Sequence, residues 1–147
     1  MDYEINFSYA EYEENKVGLY GCRTGHIEYE NSIMIFDFDD GVHLVSKDEP
    51  ELSGMAKMQC HITDGYSDGI KAYVFRKERS GKVYREDWSD SFIYAVNNGE
   101  FEFEFVNVYK GYHSILFKGY VWYEGDNGHD ECEIELCTDD IVFFWNE

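Results

Sequence analysis

Residues 99–109 read GEFEFEFVNVY. Phe101, Phe103 and Phe105 alternate with Glu100, Glu102 and Glu104, the period of two that marks a strand with one wet and one buried face. ECEIELC (131–137) repeats the pattern, and so does HIEYE (26–30), where Ile27 and Tyr29 oppose His26, Glu28 and Glu30. At the start of the chain Tyr3, Ile5, Phe7 and Tyr9 alternate with Asp2, Glu4, Asn6 and Ser8.

Working outward, the remaining apolar runs are short and bounded by turn residues. SIMIFDF (32–38) is apolar on both sides and is expected to lie centrally. Asp40-Gly41 then gives a hairpin signal, with VHLVS (42–46) returning. MAKMQCHI (55–62), IKAYVFRK (70–77), VYRED (83–87), SFIYAV (91–96), HSILFKGYVWYE (113–124) and IVFFWN (141–146) read as further strands. Asn98-Gly99 marks a reversal. SKDEPELSG (46–54) is the one candidate helix turn, with Pro50 at its first position and Gly54 as a stop. About ten strands and no helix-period segment predict a single all-β domain over 1–147, an antiparallel β-sandwich or barrel.

Composition agrees. Aromatic residues make up 18% of the chain, with 13 Tyr and 11 Phe, which favours pleated sheet. The 31 acidic side chains face 12 basic ones, a formal charge of −19. That imbalance argues against DNA, RNA and anionic lipid as partners and attracts a basic protein or cations. The charge is uneven. Residues 1–69 hold a net −11 and residues 99–147 a net −10, whereas residues 70–98 hold a net +2. The basic island KAYVFRKERSGKVYR (71–85) reads as a hairpin whose cations answer neighbouring acidic strands.

The acidic N-terminal stretch lacks the features of a signal peptide, and no run approaches the ~20 apolar residues of a membrane helix. A cytoplasmic protein is expected, with Cys22, Cys60, Cys132 and Cys137 reduced. Cys22 with His26, or Cys60 with His61, has the residue types of a metal site, but buried thiols acting as small hydrophobes are the simpler reading.

Two Glu stripes, Glu100/Glu102/Glu104 and Glu131/Glu133/Glu135, flank in sequence a strand carrying Lys118, Tyr120 and Trp122 on one side. If that side shares the Glu face, the sheet presents aromatic anchors within an acidic surface. If it faces inward, Tyr120 and Trp122 are core. Parity along one strand leaves both arrangements open.

No catalytic residue, metal or cofactor is assigned. Glu102 and Glu104 stand roughly 7 Å apart on a strand, a spacing glycosidase carboxylates use, but nothing in the sequence signals a pocket beside them. FDFDDG (36–41), DGYSDG (64–69) and GDNGHDE (125–131) gather oxygen ligands without calcium-loop spacing. There is no G-x-S-x-G, Walker loop or H-E-x-x-H.

In overall character the chain resembles the small acidic immunity proteins that neutralise bacterial polymorphic or contact-dependent toxins. The likeness rests on the stripes of FEFEF and ECEIE, the segment FDFDDGVHLV, the aromatic-rich last third and the lack of catalytic motifs. It implies a cytoplasmic, non-enzymatic binder that blocks a basic toxin domain by offering carboxylates where phosphates would bind. The partner-binding residues expected are Glu100, Glu102, Glu104, Lys118, Tyr120, Trp122, Glu131, Glu133 and Glu135. The alternative is a β-sandwich or barrel that binds Ca²⁺, carbohydrate or an apolar small molecule, with an enzyme a more distant third.

Overall fold

The computed structural model describes residues 7–11, 16–45, 51–125 and 127–146. They form an all-β, sandwich-like fold of antiparallel strands with two short helices. The strands are β1 (Phe7–Glu11), β2 (Val17–Gly18), β3 (Arg23–Thr24), β4 (His26–Glu30), β5 (Ile33–Phe38), β6 (His43–Leu44) and β7 (Glu51–Leu52). They continue with β8 (Ala56–Ile62), β9 (Ile70–Lys77), β10 (Val83–Asp87), β11 (Phe101–Gly111), β12 (Ser114–Tyr123) and β13 (His129–Asn146). Helix α1 (Gly65–Gly69) precedes β9, and α2 (Phe92–Asn97) precedes β11.

β13 organises the molecule. Its first half lies between β12 and β9, within a sheet of order β10-β9-β13-β12-β11-β3. Its second half lies between β8 and β1, within a second sheet of order β1-β13-β8-β5-β4. The register slips between Thr138 and Asp140. An extra residue there reverses the alternation: Cys132, Ile134, Leu136 and Thr138 point inward before it, Ile141 and Phe143 after it. The bulge thus lets one strand change sheets while still burying one face. ECEIELC (131–137) and IVFFWN (141–146), read as separate segments, are thus one strand, with this bulge at the residues between them.

The two sheets meet through aromatic rings. Phe36 of β5 packs edge-on against Phe105 of β11 and Phe117 of β12, with ring centroids 5.8 and 6.1 Å apart. Phe103 packs edge-on against Phe105 at 4.7 Å. All of these rings are fully buried, and each contributes roughly 2–3 kcal/mol of hydrophobic stabilisation before entropy is counted. The apolar half of FEFEF is therefore the centre of the core. Gly119 of β12 sits against the β11 bulge at Phe105/Asn107, where a Cβ would come within 1.8 Å of the Glu104 carbonyl oxygen. Only glycine allows the two backbones to approach this closely.

Three local readings are corrected. SFIYAV does not form a strand; Phe92, Ala95 and Val96 are buried at helical spacing in α2, while Tyr94 is exposed. Asn98-Gly99 is not a hairpin but the end of that helix. Gly99 takes φ 76°, its N–H donates to the Val96 carbonyl, and the Glu100 N–H donates to the Ala95 carbonyl. Asp40-Gly41 does turn the chain, but the segment that follows leaves the sheet. β6 pairs with β2 and β7 in a small third sheet, not with β5. The two-residue hairpin with positive φ lies instead at Asn31 (52°) and Ser32 (66°), joining β4 to β5. Of the expected helix turn, residues 46–50 lie outside the described residues, and residues 51–52 form β7.

No helix among the described residues is long and apolar enough to cross a membrane.

A candidate binding face on the outer sheet surface

In an antiparallel pair, directly opposed residues share a face, so the register decides where the two Glu stripes lie. Glu104 stands opposite Tyr120, which stands opposite Glu131. Glu102 stands opposite Trp122, which stands opposite His129. Lys118 faces Glu133, and Glu135 lies between Leu116 and Lys71. The inward alternation is taken by Phe101, Phe103, Phe105, Phe117, Val121, Ile134 and Leu136. Eight of the nine expected residues therefore lie on one outer surface, and Tyr120 and Trp122 are half-buried there, not in the core.

Glu100 is the exception. It precedes β11 in the turn that caps α2, so its side chain does not continue the row. It lines a cavity at the rim of the sandwich with Arg76, Trp88 and Tyr123. Glu28 and Glu30 are exposed on β4, in the second sheet.

The carboxylates on this face fall into two groups. Glu104 accepts a hydrogen bond from Trp122 Nε1 at 2.7 Å and lies 3.7 Å from the Arg23 guanidinium. Glu133 lies 3.3 Å from Lys118 Nζ. Glu102, Glu131 and Glu135 have no ion-pair partner among the described residues. The aromatic centre is similarly ordered. The Arg23 guanidinium carbon is 4.5 Å from the centroid of the Trp122 ring, and the His129 ring stacks on it at 4.2 Å with a 31° tilt. His129 also meets Tyr120 edge-on at 5.1 Å. On the β9–β10 side, Phe75 stands opposite Glu131, and the Arg85 guanidinium lies 4.3 Å from the Tyr73 ring centroid.

A second polar cluster sits at the rim. Arg76 Nε donates to Glu86 Oε1 at 2.5 Å, and its guanidinium is 3.6 Å from Asp130. Trp88 Nε1 donates to the same Glu86 oxygen at 3.1 Å, and the Tyr123 hydroxyl donates to Asp130 at 2.7 Å. The bond from Arg76 holds the Glu86 carboxyl below its ordinary range. Burial, reinforced by the bond to Asp130, raises the Tyr123 phenol. Arg76 thus behaves as the basic island was expected to. Lys77, Arg79 and Lys82 at the tip of the hairpin have no ion-pair partner among the described residues.

Cys22, Cys60 and Cys132 are buried in the core, and burial raises the Cys22 thiol to about 11 and pushes Cys60 and Cys132 up further. Among the described residues no group of three or more His, Cys, Asp or Glu side chains converges to hold a metal ion. In FDFDDG, Asp37 is engaged instead by Lys57 at 3.1 Å and His26 at 2.8 Å.

Arg23, His129 and the Arg76 cluster were not singled out from the sequence. Arg23 carried a usable signal, since it is one of only four cations in residues 1–69 and lies between two glycines in GCRTG. Arg76 was read only as one cation of the basic island, and His129 had no signal, because their particular partners are set by strand register. No protein-family model, no curated protein and no solved structure matches this chain.

Proposed function

We propose that this chain is a non-enzymatic, cytoplasmic binding protein of the immunity type, which inhibits a basic toxin domain through the outer face of its first sheet. One observation carries the reading: Glu102 stands beside half-buried Trp122 and Glu131 beside half-buried Tyr120, neither with an ion-pair partner among the described residues, and Glu135 extends the row toward Lys71. Aromatic anchors surrounded by charge are the usual anatomy of a protein interface, where the rings supply affinity and the rim charges supply steering. In this reading Glu104 and Glu133, already held by Arg23 and Lys118, orient the anchors and are not the charges a partner meets.

A net charge of −19 repels phosphates and attracts a basic surface, so association is fast at low salt and slows as salt screens the field. The test is to express the proteins encoded beside this gene and measure their association rates with this chain over a series of ionic strengths, a basic domain being the partner expected to bind. Glu102→Gln, Glu131→Gln and Glu135→Gln combined should slow association by roughly tenfold at low salt and change dissociation less. An association rate indifferent to both salt and the triple substitution rejects the assignment.

A further inference from the structure

The face carries a cavity of about 440 Å³ beside Trp122, at the end of the β11–β12 hairpin remote from its turn. Arg23, Gly25, Gly99, Glu102, Trp122 and Glu124 contribute to its lining. We propose that this cavity receives an arginine side chain of the partner protein, an inference that rests on the reading of the face given above and narrows it to one subsite.

Four observations lead there. Glu102 and Glu124 are exposed carboxylates with no ion-pair partner among the described residues, and they sit on one cavity with Trp122, which stands opposite Glu102 and two residues before Glu124. The indole is fixed in advance, because its Nε1–H is committed to Glu104 at 2.7 Å and its ring is stacked on His129. Preorganisation of this kind removes part of the ordering cost of binding. The walls include three glycines, Gly25, Gly99 and Gly125: a Cβ on Gly99 would meet nothing within 4 Å, so this side of the cavity is open to an incoming chain. Finally, the protein already realises the proposed contact with its own residue, since the Arg23 guanidinium lies over the Trp122 ring and beside Glu104. A planar guanidinium satisfies both an aromatic face and a carboxylate, which a lysine ammonium does less well. With Glu102 and Glu124 against Arg23 in its lining, and Arg23 already beside Glu104, the cavity keeps surplus negative charge for a second cation.

Arg23 is then a competitor within the site as well as its template. That gives a test that ordinary charge attraction does not mimic. The probe is a nona-arginine peptide, titrated at low salt into ¹⁵N-labelled protein, with the indole N–H signals of Trp88, Trp122 and Trp145 followed separately and nona-glutamate as control. The Trp122 signal and the Gly25 and Gly99 amides should shift together and saturate. Glu102→Gln with Glu124→Gln should weaken binding about fivefold, and Arg23→Gln should tighten it by about the same factor. Lys118→Gln, which removes an equal charge from the same face, should tighten it by less than about twofold. Equal tightening by Arg23→Gln and Lys118→Gln, or shifts centred on Glu131 and Glu135, would overturn the subsite while leaving the acidic face as a cation-binding surface. Absence of any shift on the face would overturn both.

Discussion

Two clusters of carboxylates sit near the same end of this molecule and are treated in opposite ways. At the rim, Glu86 and Asp130 share Arg76, and the side chains of Trp88 and Tyr123 supply further donors. On the outer face, Glu102, Glu131 and Glu135 are left without a cation, although Lys77, Arg79 and Lys82 of the neighbouring hairpin tip have no ion-pair partner among the described residues either. The rim carboxylates are held by internal donors, whereas on the outer face Glu104 and Glu133 have an ion pair and Glu102, Glu131 and Glu135 have none among the described residues. The difference is between carboxylates committed to the fold and carboxylates left to meet solvent.

The contrast can be broken most severely through the backbone that both regions share. Gly119→Ala puts a methyl group onto the Glu104 carbonyl, so β11 and β12 must separate. We expect a loss of roughly 3 kcal/mol in urea unfolding and loss of the Trp122–Glu104 bond. High pH comes next. The Cys22 thiol is raised from 9.0 to about 11, by burial first, with the nearby charge of Glu104 adding to it. The unfolded chain releases this proton earlier than the folded one. The contribution is therefore fully present below pH 9 and is lost as pH rises toward 11, at up to about 1.4 kcal/mol per pH unit. Cys22→Ala should remove its share of that decline in a series of unfolding curves from pH 8 to 11, leaving the share of Cys60 and Cys132, and an unchanged slope would place the titration elsewhere.

Arg76→Ala separates the two regions directly. It strands Glu86 and Asp130 without their cation, and because the cluster is partly solvated we expect a loss of about 1–2 kcal/mol. Glu102→Gln with Glu131→Gln should do the reverse and stabilise the isolated protein by a few tenths of a kcal/mol, since neither carboxylate faces a cation across the sheet and both add to the repulsion of the stripe. Opposite signs for these two variants sharpen the comparison; the same sign would erase it. Raised monovalent salt should reproduce the small stabilisation in the wild type and lose part of it in the double Gln variant.

The all-β class was legible because alternation survives any arrangement of strands. Phe101, Phe103 and Phe105 must share a side wherever β11 lies, and so must Glu102 and Glu104. SIMIFDF was likewise expected to be central, and β5 lies between β4 and β8. Whether Trp122 faced the solvent was not legible, since one strand's parity has no origin until its neighbour's register is known. Short apolar runs failed for a different reason. SFIYAV is too brief for its period to separate a strand from one and a half turns of helix, and Asn-Gly serves a helix end as readily as a hairpin. The chain after Asp40-Gly41 has the composition of a returning strand, yet β6 finds its partners in β2 and β7. Glu100 was lost to the same ambiguity, because the cap of α2 sets its direction, not the strand that follows. The aromatic face itself was readable as one of two options. Arg23, which decides how that face is held together, was visible only as an isolated cation.

β13 also sets an order of assembly. All four of its neighbours, β1, β8, β9 and β12, lie earlier in the chain, and each is bonded to one half or the other of this strand. While the protein is being synthesised, neither sheet can be completed until residues 129–146 have left the ribosome. The Phe-rich inner surfaces of β5 and β11 must therefore wait, uncovered, for the strand whose bulge at Thr138–Asp140 joins their two layers.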